Sequence, residues 1–104
     1  MNLLWFFALY TVSVFAAQAQ SDPVRRGHDL MLELCSGCHS IGKSGKSPHR
    51  AAPPFHTLGR SFDLDKFPRQ LERGILAGHP DMPEFKFSSD DANAVRDYLR
   101  TIQK

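Results

Sequence analysis

Cys35-Ser36-Gly37-Cys38-His39 is the stretch of this 104-residue chain on which the fold turns. A C-x-x-C-H run is the attachment signature of a c-type haem. The two thiols become thioethers by adding to the haem vinyl groups, and the imidazole one residue later coordinates the iron. The spacing suits one helical turn: Cys35 and Cys38 are three apart, and His39 is four from Cys35, so all three share a face. Two tethers and one axial ligand then meet a single planar ring without bending the chain.

Other uses of the two cysteines fit less well. A thioredoxin-like C-x-x-C needs a strand–helix setting, and no strand pattern flanks these residues. Zinc takes about four well-placed ligands, whereas Cys38 and His39 are neighbours and the chain has no further cysteine. A disulfide between residues three apart would close a small, strained ring.

Residues 1–19 contain no charged side chain and are dominated by Leu3, Leu4, Trp5, Phe6, Phe7, Leu9, Val12, Val14 and Phe15. Ala17-Gln18-Ala19 then forms an A-x-A cleavage site ahead of the polar Gln20-Ser21-Asp22-Pro23. This is the outline of a cleaved secretory signal peptide, although no Lys or Arg precedes the apolar run. The alternative is an uncleaved anchor, but the run falls short of the roughly 20 residues that span a bilayer. Export agrees with the haem motif, because c-type haem is attached on the outer side of the bacterial cytoplasmic membrane. The expected location is the periplasm, with no stable membrane insertion after cleavage.

Residues 20–104 are then expected to form one domain. A domain this small struggles to bury enough apolar surface unaided, and a flat apolar haem would supply the missing core. The formal charge of +2 lies in that domain, and two haem propionates would roughly cancel it. There is no basic helix, RNA-binding motif or zinc finger to suggest a nucleic-acid partner.

Three helices joined by loops are expected. The first opens at Asp22 as N-cap with Pro23 in the first helical position. Val24, Gly27, Met31 and Leu34 follow at helical spacing, with Leu30 beside them, and the helix runs into the haem motif. A glycine inside a helix costs about 1 kcal/mol against alanine, which close approach of another element would justify. Residues 40–54 read as loop, with Gly42, Gly45, Pro48, Pro53 and Pro54. Lys43, Lys46, His49 and Arg50 there form either a docking patch or a solvated loop surface. Phe55 ends the loop and is expected to pack on the ring. A second helix is expected over residues 64–76, with Leu64, Phe67, Leu71 and Ile75 as its stripe; Pro68 must lie in its first turn, so its start could be as late as Phe67. In the third, Ser88 to Asp91 resembles a capping box, and Ala92, Val95, Tyr98, Leu99 and Ile102 recur at the helical period. Tyr98 is a natural partner for Gly27.

The sixth iron ligand is the remaining question. Met31 fits a helical core position, whereas Met82 stands in Gly78-His79-Pro80-Asp81-Met82-Pro83, a polar loop between two prolines. Met82 is the leading candidate and His79 its rival, with His49 and His56 behind them.

The ordered set Gly27, Cys35-x-x-Cys38-His39, Pro53-Pro54-Phe55, Gly78-His79-Pro80-x-Met82-Pro83 and Tyr98-Leu99 resembles the class I, monohaem cytochrome c family, small bacterial periplasmic type, over residues 22–102. The resemblance implies an all-α cytochrome c-like fold, three main helices and loops wrapped around one covalently attached haem c. It implies Cys35, Cys38, Pro54 and Phe55 as haem-binding residues, with His39 and Met82 as axial ligands. A proline carbonyl, here assigned to Pro54, would accept the hydrogen bond of His39 Nδ1. The expected function is electron transfer rather than catalysis: a monomeric carrier moving one electron at a time between redox proteins such as a membrane complex, a dehydrogenase or an oxidase. Two alternatives stay open, a haem subunit held in a larger dehydrogenase complex and a haem sensor or catalyst whose Met ligand dissociates.

Overall fold

The computed structural model describes residues 22–74 and 82–104. The signal segment, Ile75, Leu76 and His79 lie outside the described residues. The chain forms α1 (Pro23–Leu34), a 3-10 helix (Phe55–Arg60), α2 (Phe67–Arg73) and α3 (Ser89–Ile102), with no strand among the described residues.

α1 starts as its sequence requires. Asp22 Oδ1 accepts from the Val24 N–H at 3.0 Å, and Pro23 occupies the first turn, where its missing donor costs nothing. Gly27 and Met31 are its buried positions, four apart on one face. The helix ends at Leu34, but the backbone keeps turning: the N–H groups of Cys38 and His39 both donate to the Cys35 carbonyl, at 3.2 and 2.9 Å. The cysteine pair and the histidine therefore sit on one further turn of chain fixed to the end of α1.

α3 lies across α1. Ser88 Oγ accepts from the Asp91 N–H at 3.2 Å, and Asp90 and Asp91 in the first turn with Arg100 in the last complement the helix dipole. The Asp91 side chain departs from the capping-box expectation, since its carboxylate takes the Arg26 Nε of α1 at 2.7 Å. Ala92, Val95, Tyr98, Leu99 and Ile102 are all buried, and Ala94 joins them. At the crossing, a β-carbon on Gly27 would overlap the Ala94 carbonyl oxygen and lie 2.8 Å from Tyr98 Cβ. The expected Gly27–Tyr98 contact is present, with the α3 backbone closer still. Tyr98 also reaches outward, its hydroxyl donating to the Ile41 carbonyl at 2.5 Å, which holds the start of the 40–54 loop against α3.

α2 begins at Phe67, the latest start that Pro68 allows, because proline is tolerated only in a first turn. Ahead of it Asp63 folds a tight turn, its carboxylate accepting from Asp65 N–H at 2.9 Å and its carbonyl from Lys66 N–H at 3.1 Å. Leu64 lies in that turn and packs against the core from there. The helix stops at Gly74, whose φ of 90° a side-chain-bearing residue rarely adopts. α1 and α2 both pack on α3 and not on each other, so a space is left between them.

Candidate haem site

That space is a cavity of about 620 Å³, within the roughly 300–1,000 Å³ of sites that enclose a small molecule. Its walls are mainly apolar: Leu30, Met31 and Leu34 from α1, Phe67 and Leu71 from α2, and Val95 from α3. Cys35, Cys38, His39, Phe55 and Met82 all line it. Residues from five separate stretches of sequence are thus brought to one hollow.

His39 is the best-defined of them. It is buried, 9 % exposed, and its Nδ1 lies 2.8 Å from the Pro53 carbonyl oxygen. A carbonyl only accepts, so Nδ1 carries the proton and Nε2 keeps the lone pair, the tautomer that ligates a metal through Nε2. Phe55 stacks on the imidazole with ring centroids 4.4 Å apart and planes 24° from parallel. The ring is held by a bond at one edge and a face contact across its width.

The acceptor is Pro53, and this corrects the assignment to Pro54. The Pro54 carbonyl is turned to the start of the 3-10 helix, accepting from Thr57 Oγ1 at 3.2 Å and Thr57 N–H at 3.4 Å. It is therefore committed away from the imidazole, and Pro53, not Pro54, is the proline that lines the cavity. Two adjacent carbonyls of an extended segment point apart, so only one of the pair faces His39.

The 3-10 helix itself has little signature in sequence. Phe55 and Leu58 are both buried, and with three residues per turn they align on one side. A pair of apolar residues is too short a pattern to announce a helix. The element is fastened by Gln103 beyond α3, which donates from Nε2 to the Phe55 carbonyl at 2.8 Å and accepts at Oε1 from the Gly59 N–H at 2.7 Å.

Cys35 is half-buried and Cys38 exposed, and no disulfide joins them. Burial pushes the Cys35 thiol up to about 11, with the neighbouring Cys38 adding to the effect. It is protonated at neutral pH, unlike the low-pKa thiolates of redox cysteines. Of the other histidines considered as ligands, His49 lines the cavity, with its Nδ1 accepting from the Ala51 N–H at 3.1 Å. His56 does not line it and faces the Gly45 carbonyl at 3.0 Å through Nε2.

The site fits a covalent haem by its own chemistry: a cysteine pair at the end of one helix, an imidazole with its metal-binding nitrogen free, a thioether side chain on the same cavity, and apolar walls around them. No curated protein and no solved structure matches the chain. A family model described as "Cytochrome C oxidase, cbb3-type, subunit III" matches residues 22–99, the whole span from the N-cap of α1 to the buried Leu99 of α3. The chain belongs to this family of cytochrome c domains, which carry covalently bound haem c for electron transfer.

Proposed function

We propose that this protein is a periplasmic electron carrier whose single haem is held by Cys35 and Cys38 and ligated by His39 and Met82. The observation that carries the reading is the convergence of these four side chains on one apolar cavity, with His39 already in the ligating tautomer. When bound, the haem supplies a metal centre that takes up and releases one electron. Cys35 and Cys38 fix its position through thioether bonds. Pro53 and Phe55 hold the His39 ring against rotation, and the Nδ1 hydrogen bond raises the basicity of the coordinating nitrogen. Met82 contributes a thioether, which favours the ferrous state and raises the potential. With His39 and Met82 both ligating the metal, no coordination position would be left for an exogenous substrate, which favours transfer over catalysis.

The name of the family favours an oxidase-containing respiratory complex as the partner, and with it the second reading, a subunit that stays bound. Size-exclusion of a native periplasmic fraction separates the two: a free carrier elutes near the mass of the chain, a subunit with its complex.

The decisive test is optical. The isolated ferric protein is expected to show a six-coordinate low-spin spectrum with a weak near-infrared sulfur-to-ferric band, and Met82→Ala to abolish that band and lower the potential. His79→Ala producing that result instead overturns the ligand assignment. Intact mass of the exported protein reports signal cleavage and haem attachment together, and rapid carbon monoxide binding to the ferrous wild type supports the sensor alternative.

A further inference from the structure

The 3-10 helix is poorly equipped to hold itself. It is six residues long, its N-cap Pro54 offers no side-chain acceptor, and the hydrogen bonds of this helix type are poorly aligned. Yet it carries Phe55, whose ring lies against His39. The backbone of Phe55 is pinned on both sides. Its N–H donates at 2.9 Å to the carbonyl of Ser40, the chain neighbour of His39, and its own carbonyl accepts from Gln103 Nε2 at 2.8 Å.

Further bonds to this helix also come from beyond α3. Gln103 Oε1 accepts from the Gly59 N–H at 2.7 Å, the Lys104 N–H donates to the His56 carbonyl at 2.9 Å, and Arg60 Nε donates to the main-chain oxygen of Lys104 at 3.3 Å. His56 Nε2 adds a bond to the Gly45 carbonyl at 3.0 Å, but that one ends on the 40–54 loop. Gln103 instead reaches a helix, since its Nε2 also donates to the carbonyl of the buried Leu99 in the last turn of α3. One amide thus couples the frame of α3 to the residue stacked on His39. Gln103 itself does not line the cavity, so any effect it has on the metal site passes through Phe55.

We propose that Gln103 is a positioning residue for the His39 ligand: by fixing the Phe55 carbonyl it holds the aromatic ring that sets the plane of the imidazole. The inference rests on the haem reading above, in which His39 ligates the iron. The Pro53 carbonyl holds one edge of the imidazole, a single bond about which the ring can rock, and the stacked Phe55 face restricts that rocking. Loosening Phe55 spreads the imidazole over a range of planes and weakens its Nδ1 bond. A weaker Nδ1 bond lowers the basicity of Nε2, so ferric iron is less well stabilised and the potential rises. The plain alternative is that Gln103 only caps α3 through the Leu99 carbonyl.

Low-temperature electron paramagnetic resonance of the haem-loaded ferric protein separates these roles, because the low-spin signal follows the orientation of the axial imidazole. Gln103→Met keeps the length of the side chain but neither donates nor accepts, and is expected to broaden the signal and raise the midpoint potential. Gln103→Glu should do the same at pH 7 and regain a sharp signal as pH falls, when the protonated carboxyl again offers one donor and one acceptor. Asp22→Ala removes the cap at the other end of α1, about 18 Å from the haem motif. It should lower the melting temperature and leave the signal unchanged. A Gln103→Met protein that melts lower but keeps the wild-type signal and potential assigns Gln103 to the helix end and overturns the proposal. Equal broadening in Asp22→Ala also overturns it, since the signal would then follow stability alone. Intact mass is read first: wild type without bound haem overturns the functional reading itself, whereas loaded protein with an unbroadened Gln103→Met signal leaves that reading standing and removes this one.

Discussion

Gly27 of α1 faces the Ala94 carbonyl of α3 so closely that a β-carbon at position 27 would overlap the oxygen, with Tyr98 Cβ only 2.8 Å away. Helix propensity alone favours alanine there by about 1 kcal/mol. Backbone cannot move aside as a flexible side chain can, so packing outweighs propensity. Gly27→Ala is expected to lose about 1–3 kcal/mol net, read as a lower denaturant midpoint. A stabilised variant would mean that the helices do not meet here.

Tyr98 ties that crossing to the loop on the haem side through its 2.5 Å bond to the Ile41 carbonyl. Tyr98→Phe is expected to cost about 1 kcal/mol near neutral pH. Burial holds the Tyr98 hydroxyl above its usual range, so the neutral form is the one the fold favours. A folded-state value above the unfolded one gives stability that is complete below about pH 10 and lost as pH rises through the folded value. The gap between wild type and Tyr98→Phe should therefore narrow at alkaline pH. Denaturant titrations of both proteins at pH 8 and pH 11 check the sign.

Ser88 supplies one of the free N–H groups of α3 with an acceptor, at 3.2 Å from Asp91 N. Ser88→Ala is expected to cost about 1 kcal/mol, with Ser88→Asp close to wild type because it restores the acceptor and suits the dipole. Thermal unfolding of the three proteins measures it. Equal loss in both variants would place the stabilisation in some other contact of Ser88.

Phe55 is 6 % exposed and stacks on His39. Phe55→Ala is expected to lose about 3–5 kcal/mol, and Phe55→Leu considerably less. The spectroscopic effect separates packing from ligand positioning. If the ring contact orients His39, the alanine variant broadens the low-spin ferric spectrum, whereas an unchanged spectrum limits Phe55 to the core.

The parts of this fold that were legible in sequence are those with a repeating pattern or an obligatory residue. α1 and α3 each bury residues at the helical period behind a side-chain cap, and Pro68 marks the start of α2. The haem motif announces itself because three rare, reactive residues stand at one spacing, and Met82 stood out by its lack of a helical stripe. What stayed hidden depends on where the backbone points. Pro53 and Pro54 are identical side chains in adjacent positions, and only the entry into the 3-10 helix turns one carbonyl to Thr57 and leaves the other for His39. Gln103 is a single polar residue of common type, given meaning only by the 3-10 helix that packs against it.

Gln103 shows how much one such residue can hold. Its Nε2 donates to the carbonyls of Phe55 and Leu99, at 2.8 and 2.9 Å, and its Oε1 accepts from the Gly59 N–H at 2.7 Å. The side chain thus joins the end of α3 to both ends of the 3-10 helix that carries Phe55 against His39. Gln103→Ala leaves these backbone groups without their partner and is expected to cost about 1–3 kcal/mol. Gln103→Glu makes the sharper test. Its ionised carboxylate would bring an oxygen to two carbonyls in place of a donor, so it should be less stable than wild type at pH 7. Protonation returns one O–H donor, which favours the neutral form in the fold and raises the folded pKa of the introduced carboxyl. Its stability relative to wild type should then recover as pH falls and be lost again as pH rises through that value. A Gln103→Glu protein with the same deficit at pH 4 and pH 7 would show that the amide does not act through these carbonyls.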